Sequence, residues 1–491
     1  MTRIRVHLSI AVVSAGMMAA SLAQPPERQW LPGDSHIHSQ WSADYDRSTD
    51  PPTPLIGADA MYPTPVNAQM AKKFGLRWMV TTDHGGPNHS KVNATQAYAE
   101  LKDSRRQVPD VLQFYGMELN MPGMDHHTLI VPNADDEWRV LFEIESRFDK
   151  NDAWPRDPAR DTEAAALAAL EHMRALPRIP LVFANHPARS AKGIGVYGLD
   201  EPAEFRSRND LAPTVYRGME GGPGHQAGAL AADGTQRRNA DGKPVGSRGG
   251  YGNAGAHTLG GFDQMTAIVG GLWDSFLGEG RRFWIVASSD SHVNYSEQTR
   301  SGNDFWPGQF HKTYVRALPS YTDILDGLRA GRMFAVAGDL ISELNLSASS
   351  RGRTAGMGET LRVPSGDAVE IRIEFVDPES PNHRGANPSV RRVDLIAGQI
   401  TGPVANRTSD RNETTRVFGR YTADAWKKTG RGQSVVISLP RVTDNLYVRV
   451  RGTNTDDLEP RMDEPGEDPW SDLWFYSNPI FIEVDRPPSG N

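Results

Sequence analysis

Histidine, aspartate and glutamate recur in this sequence at spacings suited to metal chelation. His36 and His38 stand two residues apart. In an extended strand alternate side chains share a face, so both imidazoles can reach one ion. Asp290 and His292 repeat the spacing with a carboxylate and an imidazole. Thr82-Asp83-His84, Glu118, the pair His126-His127 and His186 add further donors. A strand would point only one of His126 and His127 inward, so either can be the ligand. Asp34 and Asp44 flank the first pair and could add oxygen ligands or orient the rings. Singly, each element reads equally well as a cap, a turn former or a core histidine. The chain holds 14 histidines, and only His383 falls in its C-terminal region. Imidazoles gathered beside carboxylates in one part of a chain point to a metal cluster.

Seven or more donors exceed what one tetrahedral ion takes. Two or three divalent ions are therefore expected, with Glu118 as the natural bridge. Such a cluster acidifies bound water, supplies hydroxide at neutral pH and can clamp the charged oxygens of a phosphate ester. The chain has no cysteine, which excludes thiolate nucleophiles, disulfides and Cys-ligated zinc. A Gly-Xaa-Ser-Xaa-Gly motif is also absent.

The donors must be held by something. From residue 33 to about 340, short apolar runs alternate with longer helix-prone stretches. Strands are expected at 35–39, 76–82 (LRWMVTT), 111–116, 128–131, 180–184, 215–219 and 283–287, most ending in a potential ligand. Residues 162–176 (TEAAALAALEHMRAL) are the clearest helix, with 94–106 and 321–330 as weaker ones. Alternation of this kind predicts parallel pairing, an α/β fold and a closed or nearly closed barrel with its site at one rim. The connection from Glu118 to His126 is too short for a helical crossover and predicts a tight turn. Residues 208–261, rich in Gly and polar side chains, are expected to form a long loop or lid. From about 341 the texture changes to short alternating runs at 368–375, 434–439, 446–450 and 480–484, which predict a C-terminal β-sandwich over 341–485.

The apolar fraction of 38% and charged fraction of 23% fit a globular chain of two or three domains. A net charge of -8 argues against a nucleic-acid partner. Arg3, Arg5, the apolar run 8–20 and the small residues of 21–23 predict a signal peptide cleaved before Gln24, hence a periplasmic or secreted protein with no membrane span after cleavage. The last residues, 486–491, read as a loose tail.

The stretches DSHIHS, TTDHGG, GMELN, ANHPAR and SSDSH, in that order from Asp34 to His292, resemble the PHP (polymerase and histidinol phosphatase) family of metal-dependent phosphoesterases. The resemblance implies a distorted seven-stranded β/α (TIM-like) barrel and a two- or three-metal site of zinc, manganese or iron. It also implies hydrolysis of a small phosphomonoester or phosphodiester. By position it implies His36, His38, Glu118 and Asp290 at one ion, and Glu118, His126 and His186 at a second. His84 and His292 fall at a third, with Asp44 where many members carry a His or Asp. The stretch GMEGGPGHQ, with Glu220 and His225, and the stretch from FWPGQ to KTYV resemble secreted relatives with an appended β-domain. Arg189, close behind His186, could contact a phosphate oxygen, with Lys312 a weaker candidate. His225, His89, His257 and His311 could each serve as general acid or substrate contact. Two other readings compete: metal-assisted hydrolysis of an amide, lactone or sulfate ester, and a non-catalytic export protein that binds metal, a glycan or a partner.

Overall fold

The computed structural model describes residues 27–247 and 256–485. The expected signal peptide and C-terminal tail lie outside the described residues. Strand β1 (Gln29–Ile37) is followed by a small hairpin, β2 (Asp44–Asp46) and β3 (Thr53–Leu55). Strands β4 (Trp78–Thr81), β5 (Leu112–Asn120), β6 (His126–Ile130), β7 (Leu181–Ala184), β8 (Tyr216–Gly222) and β9 (Trp284–Ala287) carry the apolar runs read from the sequence. The residues of β4, β7 and β9 are buried along their whole length, as strands covered on both faces require. The helix Glu163–Arg174 starts where expected: Thr162 accepts the N–H of Ala165, and Ala166, Ala169, Leu170 and Met173 form its buried stripe.

The expected β/α barrel does not form. Strand residues dominate, and the strands lie in one large mixed sheet in which β1, β4, β5, β6, β7, β8 and β9 are successive neighbours. Two features of pairing account for the difference. The tight turn after β5 makes β5–β6 antiparallel, with Glu118 opposite Thr128 and Asn120 opposite His126, and β6–β7 is antiparallel too. The outer edge of β1 is taken by β10 (His311–Ala317), antiparallel, and β11 (Met333–Ala337) extends the sheet beyond it. The free edge of β9 is covered by side chains instead of by a strand. Ala287 donates its N–H to Thr313 Oγ1 at 2.7 Å, and Ile285 donates to the Asn478 carbonyl oxygen at 3.0 Å. Only a single parallel bridge, Ile37 to Ser291, links the two ends beyond β9. A sheet edge satisfied in this way needs no closing ladder.

The same sheet continues into the C-terminal region. There β12 (Glu343–Ser350), β13 (Arg353–Gly356), β14 (Thr360–Pro364), β15 (Asp367–Val376) and β16 (Arg392–Gln399) are followed by β17 (Arg416–Thr422), β18 (Lys427–Thr429) and β19 (Gly432–Val442). The chain ends in β20 (Leu446–Thr453), β21 (Trp474–Ser477) and β22 (Ile480–Asp485). One group forms a separate sheet in the order β13-β12-β15-β19-β18, and β21 pairs with β11 to join the other group to the large sheet. Along β15 the side chains of Val369, Ile371, Ile373 and Phe375 alternate inward. A single apolar core runs from Trp78 and Phe114 through Trp284 to Trp474 and Phe481. The expected strand at 215–219 forms as β8, whereas residues 208–211, expected to open a long loop, are the end of the helix Pro202–Leu211. Arg208 is drawn inward to Glu163 there, so irregular chain begins only after Gly222. No helix among the described residues is long and apolar enough to cross a membrane.

Two buried ion pairs tie the scaffold together. Asp274 receives Arg449 on both carboxylate oxygens, at 2.8 and 2.7 Å, and the Tyr447 hydroxyl at 3.0 Å. All three side chains are buried. Asp274→Ala should therefore destabilise the protein by about 3–5 kcal/mol, because it strands a buried guanidinium. Urea unfolding checks this, and an unchanged midpoint would contradict it. His89 sits between Glu145 Oε1 at 2.7 Å and the Trp41 carbonyl at 2.9 Å. Burial alone would lower its pKa, but Glu145 outweighs burial and raises it to about 9. The unfolded value is near 6.5, so the pair's contribution is complete below about pH 6.5 and is lost as pH rises through about 9. The difference in urea midpoint between wild type and His89→Gln should shrink across that window. A difference that stays constant from pH 6 to pH 10 would refute the assignment.

Candidate metal centre

The ends of the parallel strands deliver the donors to one place. His36 and His38 leave the end of β1 on one face, Glu118 is in β5, and His126 opens β6. His84, His186, His225 and the pair Asp290 and His292 follow β4, β7, β8 and β9. His36 Nε2 and His38 Nε2 lie 2.9 Å apart, and each is 3.1 Å from Asp290 Oδ1. Nitrogen and oxygen donors about 2.0–2.2 Å from a shared ion stand about 3 Å from one another, so this triangle has the dimensions of a ligand set. Glu118 is the hub. Its Oε1 lies 2.9 Å from His186 Nε2, 3.2 Å from His126 Nδ1 and 3.3 Å from His36 Nε2. Its Oε2 lies 2.9 Å from His84 Nδ1 and 3.4 Å from His38 Nε2.

A third group gathers His38, His84, His292 and Asp59, with ligand atoms within 4.8 Å of one another. Asp59 Oδ2 is 3.4 Å from His292 Nε2 and 3.9 Å from His84 Nε2. Asp59 replaces Asp44, which is exposed in β2 and joins none of the clusters. The reason is local: Asp44 is paired across a short hairpin at the surface, opposite Leu55. His225 also belongs to the centre, with Nε2 2.9 Å from Asp290 Oδ2 and Nδ1 2.5 Å from Asp304 Oδ1. His126 is the partner facing Glu118. His127 points the other way, to the Tyr216 hydroxyl at 3.0 Å and the Asp125 carbonyl at 3.2 Å.

These clusters could hold metal ions, and the orphaned atoms among them fit that use. Glu118 Oε2 and Asp290 Oδ1 are buried and accept no hydrogen bond. His84 Nδ1 comes within 2.9 Å of Glu118 Oε2 but without hydrogen-bonding geometry. Buried carboxylate oxygens are rarely left so, since each costs about 1–3 kcal/mol or more. Burial works against charge on His36, yet Asp290, Glu118 and Glu220 outweigh it and hold the imidazole well above its ordinary pKa. Burial, with His292 and His84 beside it, pushes His38 well below. Burial opposes charge on Glu118 too, and His126, His84 and His36 prevail to hold it well below the usual carboxylate range. Such surroundings could hold positive charge at their centre.

Other groups aim these donors. Glu220 Oε1 receives His36 Nδ1 at 2.7 Å, while its Oε2 accepts the His186 N–H at 2.7 Å. Asp34 accepts the N–H groups of His36 and Ser289, and burial raises its pKa to about 7. Asp83 holds the Ser39 N–H and hydroxyl behind the site, and burial raises it to about 6. His186, His225 and Asp290 sit at φ 31, 56 and 47, a left-handed conformation that costs a non-glycine residue about 1–3 kcal/mol and collects at functional sites. Gly224 makes the His225 contact possible, because a Cβ there would fall 2.1 Å from the Ser289 carbonyl and 2.2 Å from Asp290 Cβ.

A cavity of about 340 Å³ opens on the centre, with Asp59, His84, Glu118, His225, Asp290 and His292 in its walls. Arg189 also lines it, steadied by Asp125 at 2.7 Å. The remaining sequence candidates lie elsewhere. Lys312 is buried against Asp339 at 2.5 Å, His89 against Glu145, His311 Nδ1 lies 3.1 Å from the Pro223 carbonyl, and His257 joins none of the clusters. Sequence reading missed Asp59, Asp304 and the orienting role of Glu220. Asp59 lies outside any periodic strand, so no pattern marked it, whereas Glu220 ends a readable apolar run. No family model matches the chain, and no curated protein does.

Metal content separates the two candidate aspartates. Asp59→Ala should lower bound metal by about one equivalent by mass spectrometry, and Asp44→Ala should leave it at the wild-type value. The reverse result would return Asp44 to the site.

Proposed function

We propose that this protein is a metal-dependent phosphoesterase that uses two or three divalent ions, with zinc, manganese and iron as candidates, and acts on a small phosphomonoester or phosphodiester. The observation that carries the reading is Glu118, whose two oxygens face different sets of imidazoles, as a carboxylate shared between ions does. The motif order resembling PHP phosphoesterases adds to it, and residues 1–23 suit a leader for an exported enzyme.

His36, His38, Asp290 and Glu118 would hold one ion. Glu118, His126 and His186 would hold another, and His84, His292, Asp59 and His38 a third. Bound ions supply Lewis acidity and acidify water. The chain's own residues do the rest. Arg189 is placed beside the carboxylates of the centre and presents a charged fork to a phosphate oxygen while Asp125 fixes its orientation. Asn185 donates to Glu118 Oε1 at 2.9 Å and holds that carboxylate against rotation. His225, set between Asp290 and Asp304, lines the same cavity and is placed to exchange a proton with a leaving group.

Asp290→Ala tests the reading in the full chain. It should lower bound metal and cut turnover of a generic phosphomonoester or phosphodiester by at least about a hundredfold, the range reached by disturbing even a supporting group of a metal ligand. Circular dichroism should stay close to wild type. Full activity in that variant would refute the site, and metal-replete wild type inert toward a broad phosphoester panel would refute the substrate class.

A further inference from the structure

The outer wall of the cavity is the segment from Arg300 to Asp304, which the metal chemistry leaves unused apart from Asp304. This wall is built. The Asn303 carbonyl accepts the Ala227 N–H at 2.9 Å, and the Gly302 carbonyl accepts Arg237 at 3.0 Å. Asp304 exchanges backbone bonds with Val293 and Tyr295. A Cβ on Gly302 would meet the Val293 and Asn294 carbonyls at 2.2 and 2.3 Å, so only glycine lets the segment lie this close. Arg300 rides on that wall. Among the described residues its one hydrogen bond goes to the Gly57 carbonyl at 3.4 Å, and it pairs with no carboxylate there. Arg189, by contrast, is already committed to Asp125. The lining carries no Phe, Tyr or Trp, its rings are the imidazoles of the centre, and Val293 is its one aliphatic residue.

From these features we infer that Arg300 is a specificity residue, and that the substrate is a compact, hydroxyl-rich phosphoester with a second anionic group, which Arg300 binds. The inference rests on the phosphoesterase reading for its scissile group. A guanidinium without a carboxylate partner at the mouth of a small polar cavity offers a charge-assisted pair to such a group. A lining with one aliphatic residue and otherwise polar or charged side chains gives a lipid chain no apolar surface to bury against. The volume of about 340 Å³ lies at the small end of ligand cavities.

Glycerol 3-phosphate and 3-phosphoglycerate differ in an alcohol against a carboxylate and form the probe pair. Arg300 is exposed, so wild-type protein loaded with metal should show a KM or a calorimetric Kd about two- to fivefold lower for 3-phosphoglycerate. Arg300→Gln should collapse that ratio toward one, and Arg300→Lys should restore part of it. Metal content and melting temperature, measured alongside, report any loss of the wall. Equal affinity for both probes in wild type, or a preference that survives Arg300→Gln, would overturn the inference. Calorimetry keeps the two proposals apart. Discrimination in binding without turnover would leave Arg300 assigned and remove the phosphoesterase reading. Turnover without discrimination would do the opposite.

Discussion

Glu118 and Asp290 are carboxylates placed almost wholly out of water, and a buried charge survives only if it is paired. The protein meets that demand with imidazoles drawn from several separate stretches of chain, and no single element could supply them. The ring nitrogens converge from β1, β6 and the segments after β4, β7, β8 and β9, so the position of each strand end is constrained by the same few oxygens. Glu220 and Asp34 then hold His36 from two sides, the first at its ring and the second at its backbone N–H. The left-handed backbone at His186, His225 and Asp290 is tolerated because the surrounding pairing leaves those residues no other place to go.

That convergence needs strand ends on one side of a sheet, and it does not need a closed barrel. Thr313 and Asn478 satisfy the edge of β9, so the sheet can stay mixed while Ile37 and Ser291 still meet. The strand carrying Thr313 runs antiparallel along β1, and Asn478 comes from the far end of the chain. The architecture around the site is thus completed by residues that carry none of its donors.

The apolar runs and most of the donors were legible because burial on both faces leaves continuous hydrophobic stretches, as in LRWMVTT and LVFA. Which strands pair was much less so. Alternating strands and helices suggested parallel closure, yet hydrophobic periodicity reports burial and is silent about neighbours. Only the short span between Glu118 and His126 signalled an antiparallel step. Beta10 and β11 look like any other strands in sequence, so their place along β1 was invisible. Asp59 and Arg300 were missed for a related reason: irregular segments have no period, and their positions follow from hydrogen bonds made far away along the chain. Asp44 was chosen for its proximity to His38 in sequence, and a surface hairpin carries it off.

The pairing of β11 with β21 has a consequence for how the molecule comes into being. Residues 474–477 are synthesised well after the strands that carry the imidazoles, yet they lie in the same sheet as β1, from whose end His36 and His38 project. A chain emerging from its N-terminus therefore holds most of its imidazoles long before β21 can pair with β11. Until then those side chains lie on an unfinished sheet, where any ion they could hold would meet a cage not yet backed by that strand. Any preference among ions that the cage could hold would then belong to the finished sheet and not to the imidazoles alone.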